Sequence, residues 1–126
     1  MSTSRAGSIG WHDLAVPDAP IVRDWYCAVL GWRAVAVPMD GYDDYAMCPP
    51  GSDEPVAGIC HARGSNADLP PTWLIYTTVE DLDAALAAAS HGGRVLAPAR
   101  PVMGGRVAVV EDPAGAAMGL WEAPRV

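Results

Sequence analysis

The sequence predicts an α+β protein made of two βαβββ modules in tandem. Three observations carry that expectation. Strand, capping residue, amphipathic helix and glycine stop follow one another from Trp11 to Gly31. A looser copy of the same unit starts near Trp73 and reaches Gly92-Gly93. The two copies also keep register: Trp11, Asp13, Val16 and Asp18 fall on Leu74, Tyr76, Val79 and Asp81 at a constant offset of 63 residues. A unit written twice should fold as two similar modules.

The elements are read in chain order. Trp11 to Val16 alternates and precedes Pro17-Asp18, so it is a strand. Asp18 is the expected N-cap, and Pro20 suits the first helical turn, where a missing N–H costs nothing. Ile21, Val22, Trp25, Tyr26, Val29 and Leu30 recur at helical spacing as one apolar face. Gly31 stops the helix. Trp32 to Val37, Tyr42 to Cys48 and Val56 to His61 are the next three strands, separated by Asp40-Gly41 and by Pro49-Pro50-Gly51-Ser52. In the second copy, Leu74 to Val79 is a strand and Asp81 caps a helix with the buried stripe Leu82, Ala85, Leu86 and Ala89. Arg94 to Pro98, Arg106 to Val110 and Ala116 to Trp121 complete it, with Pro101 to Gly105 as a loop and Asp112-Pro113-Ala114-Gly115 as a tight turn. The expected organisation is a flexible tail (1–9), a first module (10–63), a linker (64–72) and a second module (73–126), together forming one domain.

Composition narrows the function. With 126 residues the chain can bury a core, and 51% apolar against 18% charged residues is a globular balance. The net charge of −7, with eight scattered basic residues, argues against nucleic acid or an anionic membrane as partner. No apolar run is long enough to span a bilayer, and Met1 to Ser8 lacks the apolar stretch of a signal peptide. Cys27, Cys48 and Cys60 fit no metal spacing, so a reduced cytoplasmic setting is expected.

These pieces resemble the vicinal oxygen chelate superfamily, the group of glyoxalase I, bleomycin-resistance proteins, fosfomycin-resistance enzymes and extradiol dioxygenases. The resemblance rests on Val16-Pro17-Asp18, the helix tail Trp25-Tyr26-Cys27-Ala28-Val29-Leu30-Gly31-Trp32, Val79-Glu80-Asp81-Leu82-Asp83, Gly92-Gly93 and Asp112-Pro113-Ala114-Gly115. It covers Trp11 to Glu122. It implies that each module is a curled, mixed or antiparallel half-barrel sheet with its helix on the outer face, and that two half-barrels enclose a ligand cleft within one chain or across a dimer.

Metal enzymes of this family take one ligand from the first and one from the fourth strand of each module, commonly His and Glu. The repeat places those positions at Trp11, Gly58, Leu74 and Gly119. None has a side chain able to hold a divalent cation. No metal and no cofactor are therefore expected. His12, His61 and Glu122 sit one or three residues away, which turns them to the opposite strand face. A slipped register is the alternative in which these three would ligate. His91, at a helix end, has no assigned role.

The same parity gives the cleft set: Trp11, Asp13, Ala15, Gly58, Cys60, Leu74, Tyr76, Thr78, Gly119 and Trp121. This is an apolar, aromatic-walled small-molecule site. Trp11 and Trp121 either stack on a ligand or fill the core. Gly58 and Gly119 either make room for a flat ligand or mark strand curvature. Asp13, desolvated beside tryptophan, should have a raised pKa that suits a general base or a contact to a cationic or hydroxyl-bearing ligand. Tyr76 would be its partner, and in the alternative the two only fix the shape of the cleft.

Three functions follow. The first is a metal-free protein that sequesters an aromatic, drug-like molecule, as bleomycin-resistance-like members do in antibiotic resistance. The second is a metal-independent isomerase, lyase or cyclase with Asp13 as proton carrier and Tyr76 as partner. The third, a metal-dependent glyoxalase or dioxygenase, is disfavoured by the missing cage. A homodimer is expected, because half-barrels leave sheet edges that pairing would cover.

Overall fold

The computed structural model describes residues 5–125; residues 1–4 of the expected tail and residue 126 lie outside them. The described elements are β1 (Ile9–Val16), α1 (Ala19–Leu30), β2 (Arg33–Pro38), β3 (Asp43–Cys48), β4 (Ala57–His61), a single 3-10 turn (Gly64–Asn66), β5 (Leu74–Thr78), α2 (Leu82–Ala89), β6 (Arg94–Val102), β7 (Gly105–Glu111) and β8 (Ala117–Glu122). The class is α+β, with two helices and strands paired both parallel and antiparallel. Among the described residues no helix is long and apolar enough to cross a membrane. Contacts divide the chain into two compact units: His12–Trp73, and the chain up to Trp11 together with Leu74 onward.

In the unit His12–Trp73 the strands lie in the order β2-β3-β4-β1. The β2–β3 and β3–β4 pairs are antiparallel, and β1 runs parallel to β4 with Asp13 opposite Gly58 and Ala15 opposite Cys60. Strand alternation then sorts the side chains. Leu14, Val16, Met47, Ala57 and Ile59 form a core with Ala19 of α1, and Val22, Tyr26 and Trp32 pack against it. Asp13, Ala15, Gly58 and Cys60 point to the other face. The Trp73 indole N–H donates to the Tyr26 hydroxyl at 2.9 Å, and the Tyr26 ring also stacks on Trp32.

In the other unit the order is β5-β8-β7-β6. Here β5 runs parallel to β8, with Tyr76 opposite Gly119 and Thr78 opposite Trp121, and β7 is antiparallel to both β8 and β6. Leu82 of α2 packs on Ala108 and Leu120, with Val79, Ala85, Leu86, Val110 and Met118 around them. Gly7 N donates to Thr78 O at 2.8 Å and Thr78 N to Ser8 O at 2.9 Å. Residues read as the end of the tail are thus tied to β5, and β1 opens at Ile9, two residues before the expected Trp11.

Three local readings change. The apolar face of α1 does not go inward as a block: Ala19 is buried and Val22 and Tyr26 face the core, whereas Ile21 is 67% and Trp25 58% exposed, with Val29 and Leu30 also exposed. The helix is apolar around so much of its circumference that period alone cannot choose which stripe docks. The Asp18 side chain makes no cap hydrogen bond, whereas Asp81 does cap α2, accepting from Ala84 N at 3.1 Å. The expected loop from Pro101 to Gly105 contracts to Met103-Gly104 between paired strands. Both turn residues have positive φ (48° and 81°), the twist that a two-residue hairpin needs.

Candidate functional site

In the unit that begins at Leu74, the strand faces turned away from α2 gather Leu74, Tyr76, Thr78, Val107, Val109, Gly119 and Trp121. The pairings Thr78–Trp121, Val107–Trp121, Tyr76–Gly119 and Val109–Gly119 make six of them lateral neighbours, and Leu74 shares the alternation of Tyr76 on β5. All are buried. Five of the seven, Leu74, Tyr76, Thr78, Gly119 and Trp121, were expected from repeat parity, and the register pairs Tyr76 with Gly119 and Thr78 with Trp121. The space beside Gly119 is occupied from within the chain. A Cβ on Gly119 would lie 2.4 Å from the Tyr76 ring, so the space it leaves is already filled by Tyr76. Gly105 does the same for Trp121: an added Cβ would lie 2.5 Å from the Trp121 ring. Each large ring comes this close to a neighbouring strand because a glycine stands there. Gly105 escaped the sequence reading, since a glycine opening a strand looks like turn residue and nothing more. Trp11 belongs to this same unit and is half-buried.

Trp121 carries the one buried side-chain nitrogen or oxygen that lacks a hydrogen-bond partner among the described residues, its Nε1. Buried polar groups are nearly always paired, so this donor needs an explanation.

In the unit His12–Trp73, Asp13 and Cys60 meet as parity implies. The Cys60 thiol points at Asp13 Oδ2, 3.8 Å away. Burial first, and then the Asp13 and Asp44 carboxylates, push the Cys60 thiol far above the ordinary range. These influences favour the neutral thiol of Cys60 over its thiolate. Asp44 on β3 is the residue that sequence reading missed. It is buried, its Oδ1 accepts from His61 N at 2.8 Å, and it lies 3.4 Å from His61 Nδ1. The signal was available: on β3, Asp44 shares the alternation of Ala46, which pairs with Gly58.

The residues do not fit the divalent metal of the chelating enzymes. Trp11, Gly58, Leu74 and Gly119 offer no donor atom, Leu74 is buried, and Gly119 lies beneath a tyrosine ring. Among the described residues no three His, Cys, Asp or Glu side chains come together in a way that could hold a metal ion. The off-register candidates are engaged elsewhere. His12 is exposed, with Nδ1 3.4 Å from Val56 O. His61 is held beside Asp44 and packs edge-on to Tyr42. Glu122 braces α2: its Oε2 accepts from Leu82 N at 2.7 Å and Arg106 Nε donates to its Oε1 at 3.1 Å. Those two contacts, Arg106 foremost, hold its carboxyl below the ordinary carboxylate range.

Comparison with known proteins agrees with this architecture. Residues 8–120 match the profile of the Glyoxalase/Bleomycin resistance protein/Dioxygenase superfamily. "Putative glyoxylase CFP32" of Mycobacterium bovis is 32% identical over 98% of this chain and 49% of its own length. "Anthracycline biosynthesis protein DnrV" of Streptomyces peucetius is 30% identical over 96% of this chain and 49% of its own. The chain thus spans about half the length of the curated relatives it matches. The fold is similar to the crystal structure of methylmalonyl-CoA epimerase from Mycobacterium tuberculosis, with a TM-score of 0.58, 24% identity, and coverage of 100% of this chain and 93% of that one. The chain belongs to the glyoxalase, bleomycin-resistance and dioxygenase superfamily.

Proposed function

We propose that this chain binds a small, flat aromatic or drug-like molecule in an apolar cleft, without the metal of the chelating enzymes. The observation that carries this reading is the pair of rings, Tyr76 and Trp121, packed against Gly119 and Gly105 on a face whose residues on β5 and β8 are uncharged. Aromatic walls with few polar groups are the usual make-up of such sites. The relatives named for anthracycline biosynthesis support an aromatic, polyketide-like ligand. Trp11, Leu74 and Thr78 of the same unit would complete the lining, and sequestration of a drug would make the protein a resistance factor. We take it to act as two modules, 10–63 and 73–126, joined by 64–72, as a cytoplasmic homodimer. The net charge of −7 keeps nucleic acid and anionic membranes off the list of partners.

A second reading has its own observation. Asp13 has the neutral thiol of Cys60 3.8 Å from its carboxylate, beside buried Asp44. That arrangement suits a metal-independent isomerase, lyase or cyclase in which Asp13 takes and returns a proton. Asp13→Asn separates the two. Affinity for a neutral aromatic ligand should change less than threefold, whereas exchange of an enolisable α-proton in D2O should slow by about two orders of magnitude or more if Asp13 is the base. Exchange at the wild-type rate removes Asp13 from any mechanism. No binding across a panel of aromatic ketones and polyphenols removes the sequestering function.

A further inference from the structure

The Trp121 side chain is unusual in where it spends its polar atom. The residue is 3% exposed, sits on β8 between Thr78 and Val107, and has its Nε1 buried with no acceptor among the described residues. The ring is held firmly. The two carbons nearest the Gly105 site are Cη2 and Cζ3, at 2.5 and 2.8 Å from where a Cβ would stand. These lie on the benzo edge, across the ring from the nitrogen. Seating that edge on the glycine fixes where the N–H lies. A phenylalanine would fill the apolar space without stranding a donor, so packing alone does not account for an indole here.

We propose that Trp121 Nε1–H is the hydrogen-bond donor for a neutral carbonyl oxygen of the bound small molecule, which makes an aromatic ketone or quinone the ligand class. This rests on the small-molecule reading above and gives it a polar anchor. The lining decides between acceptors. Leu74, Tyr76, Thr78, Val107, Val109 and Trp121 are uncharged, the cation on this face is Arg100, opposite Val107 on β6 and already engaged, and the protein carries a net charge of −7. A carboxylate or phosphate buried here would lose its hydration and would have to compete for Arg100, which is already engaged. A ketone oxygen loses far less on desolvation and gains one donor. Against a Trp lacking an acceptor, the gain is that of repairing an unmade bond, which is larger than that of exchanging one partner for another.

The test uses fluorenone and fluorene, two flat tricyclic probes that differ by one carbonyl. In the 15N-labelled full chain the five tryptophans give five indole N–H signals, and Trp121 is assigned through contacts to the Gly105 α-protons and by its loss in Trp121→Phe. Fluorenone should move the Trp121 indole proton downfield, and fluorene should not. Trp121→Phe should weaken fluorenone about tenfold and fluorene less than twofold. Equal weakening of both probes overturns the proposal and leaves the ring as packing only. So does a Trp121 signal that stays put, and keeps its magnetisation transfer to water, at saturating fluorenone. The wild-type signal decides even if the variant fails to fold. Failure of both probes to bind the wild-type chain is a different result, because it overturns the aromatic-ligand reading itself and this proposal with it.

Discussion

Cys60 shows how a single residue is defined by its neighbours. The sequence placed it on the predicted ligand-lining face as a small apolar side chain. The structure adds what stands beside it: Asp13 from β1 and Asp44 from β3, with burial as the larger influence on its thiol. Two carboxylates and a dry setting all disfavour the thiolate. We therefore expect Cys60 to resist alkylation. At pH 8, iodoacetamide should modify half-buried Cys27 at least tenfold faster than Cys60, as read by peptide mass spectrometry. Faster labelling of Cys60 would mean that its thiolate is accessible and that the Asp13 cluster is not as described. Asp44 was legible in principle, because it alternates with Ala46. It went unread because the ligand positions were sought on first and fourth strands only. The roles of Gly105 and Gly119 were not legible at all. That a glycine carries a neighbour's ring, as against a ligand or a bend, depends on which strand is paired beside it.

At the level of elements, the two helices contrast. Helix α2 is capped as its sequence implies, by Asp81, and is gripped a second time from β8. Glu122 accepts the Leu82 N–H at the helix start while Arg106 spans both Glu122 and Asp83. Because the folded carboxyl of Glu122 lies below its unfolded value, the stability it adds is fully present above the unfolded carboxylate pKa. That stability is lost as pH falls through the folded value. Glu122→Gln should therefore cost about 1–2 kcal/mol at pH 7, the scale of a charged hydrogen bond at a helix start. The gap from wild type should close as urea unfolding is repeated from pH 7 down to pH 3. Parallel stability curves would show that the carboxylate charge contributes nothing. For α1 the sequence located both ends well, including Gly31 in the left-handed region with its N–H on Cys27 O at 3.0 Å. It could not say that Val22 and Tyr26, rather than Ile21 and Trp25, turn to the core. An apolar stripe marks a buried face only when the opposite side is polar, and α1 has apolar residues on both.

Across the chain as a unit of function, the question is what occupies the ligand-binding positions. At the positions where repeat parity would place the His and Glu of chelating enzymes stand tryptophan, leucine and two glycines, and the off-register candidates are in contact with Val56, Asp44, Leu82 and Arg106. Protein grown with zinc, nickel, manganese and iron should carry well under one metal per chain by elemental analysis. Its thermal midpoint should move by less than about 1 °C on adding a chelator, since a ligand bound only by the native state raises stability by mass action. A stoichiometric metal, or a midpoint that falls with chelator, would put His12, His61 and Glu122 back in contention and with them a glyoxalase- or dioxygenase-type reaction.

The amino-acid order was enough for the family, the element sequence and the strand parity. Each of these depends on local alternation, caps and turn residues, which act over a few residues and are written in the chain. Which stripe of α1 docks, what fills the space over each glycine, why the Cys60 thiol stays neutral and why one indole N–H lacks a partner all emerged from strand pairing. Those properties belong to residues tens of positions apart in the chain, and one residue's spacing carries no information about what will be laid beside it.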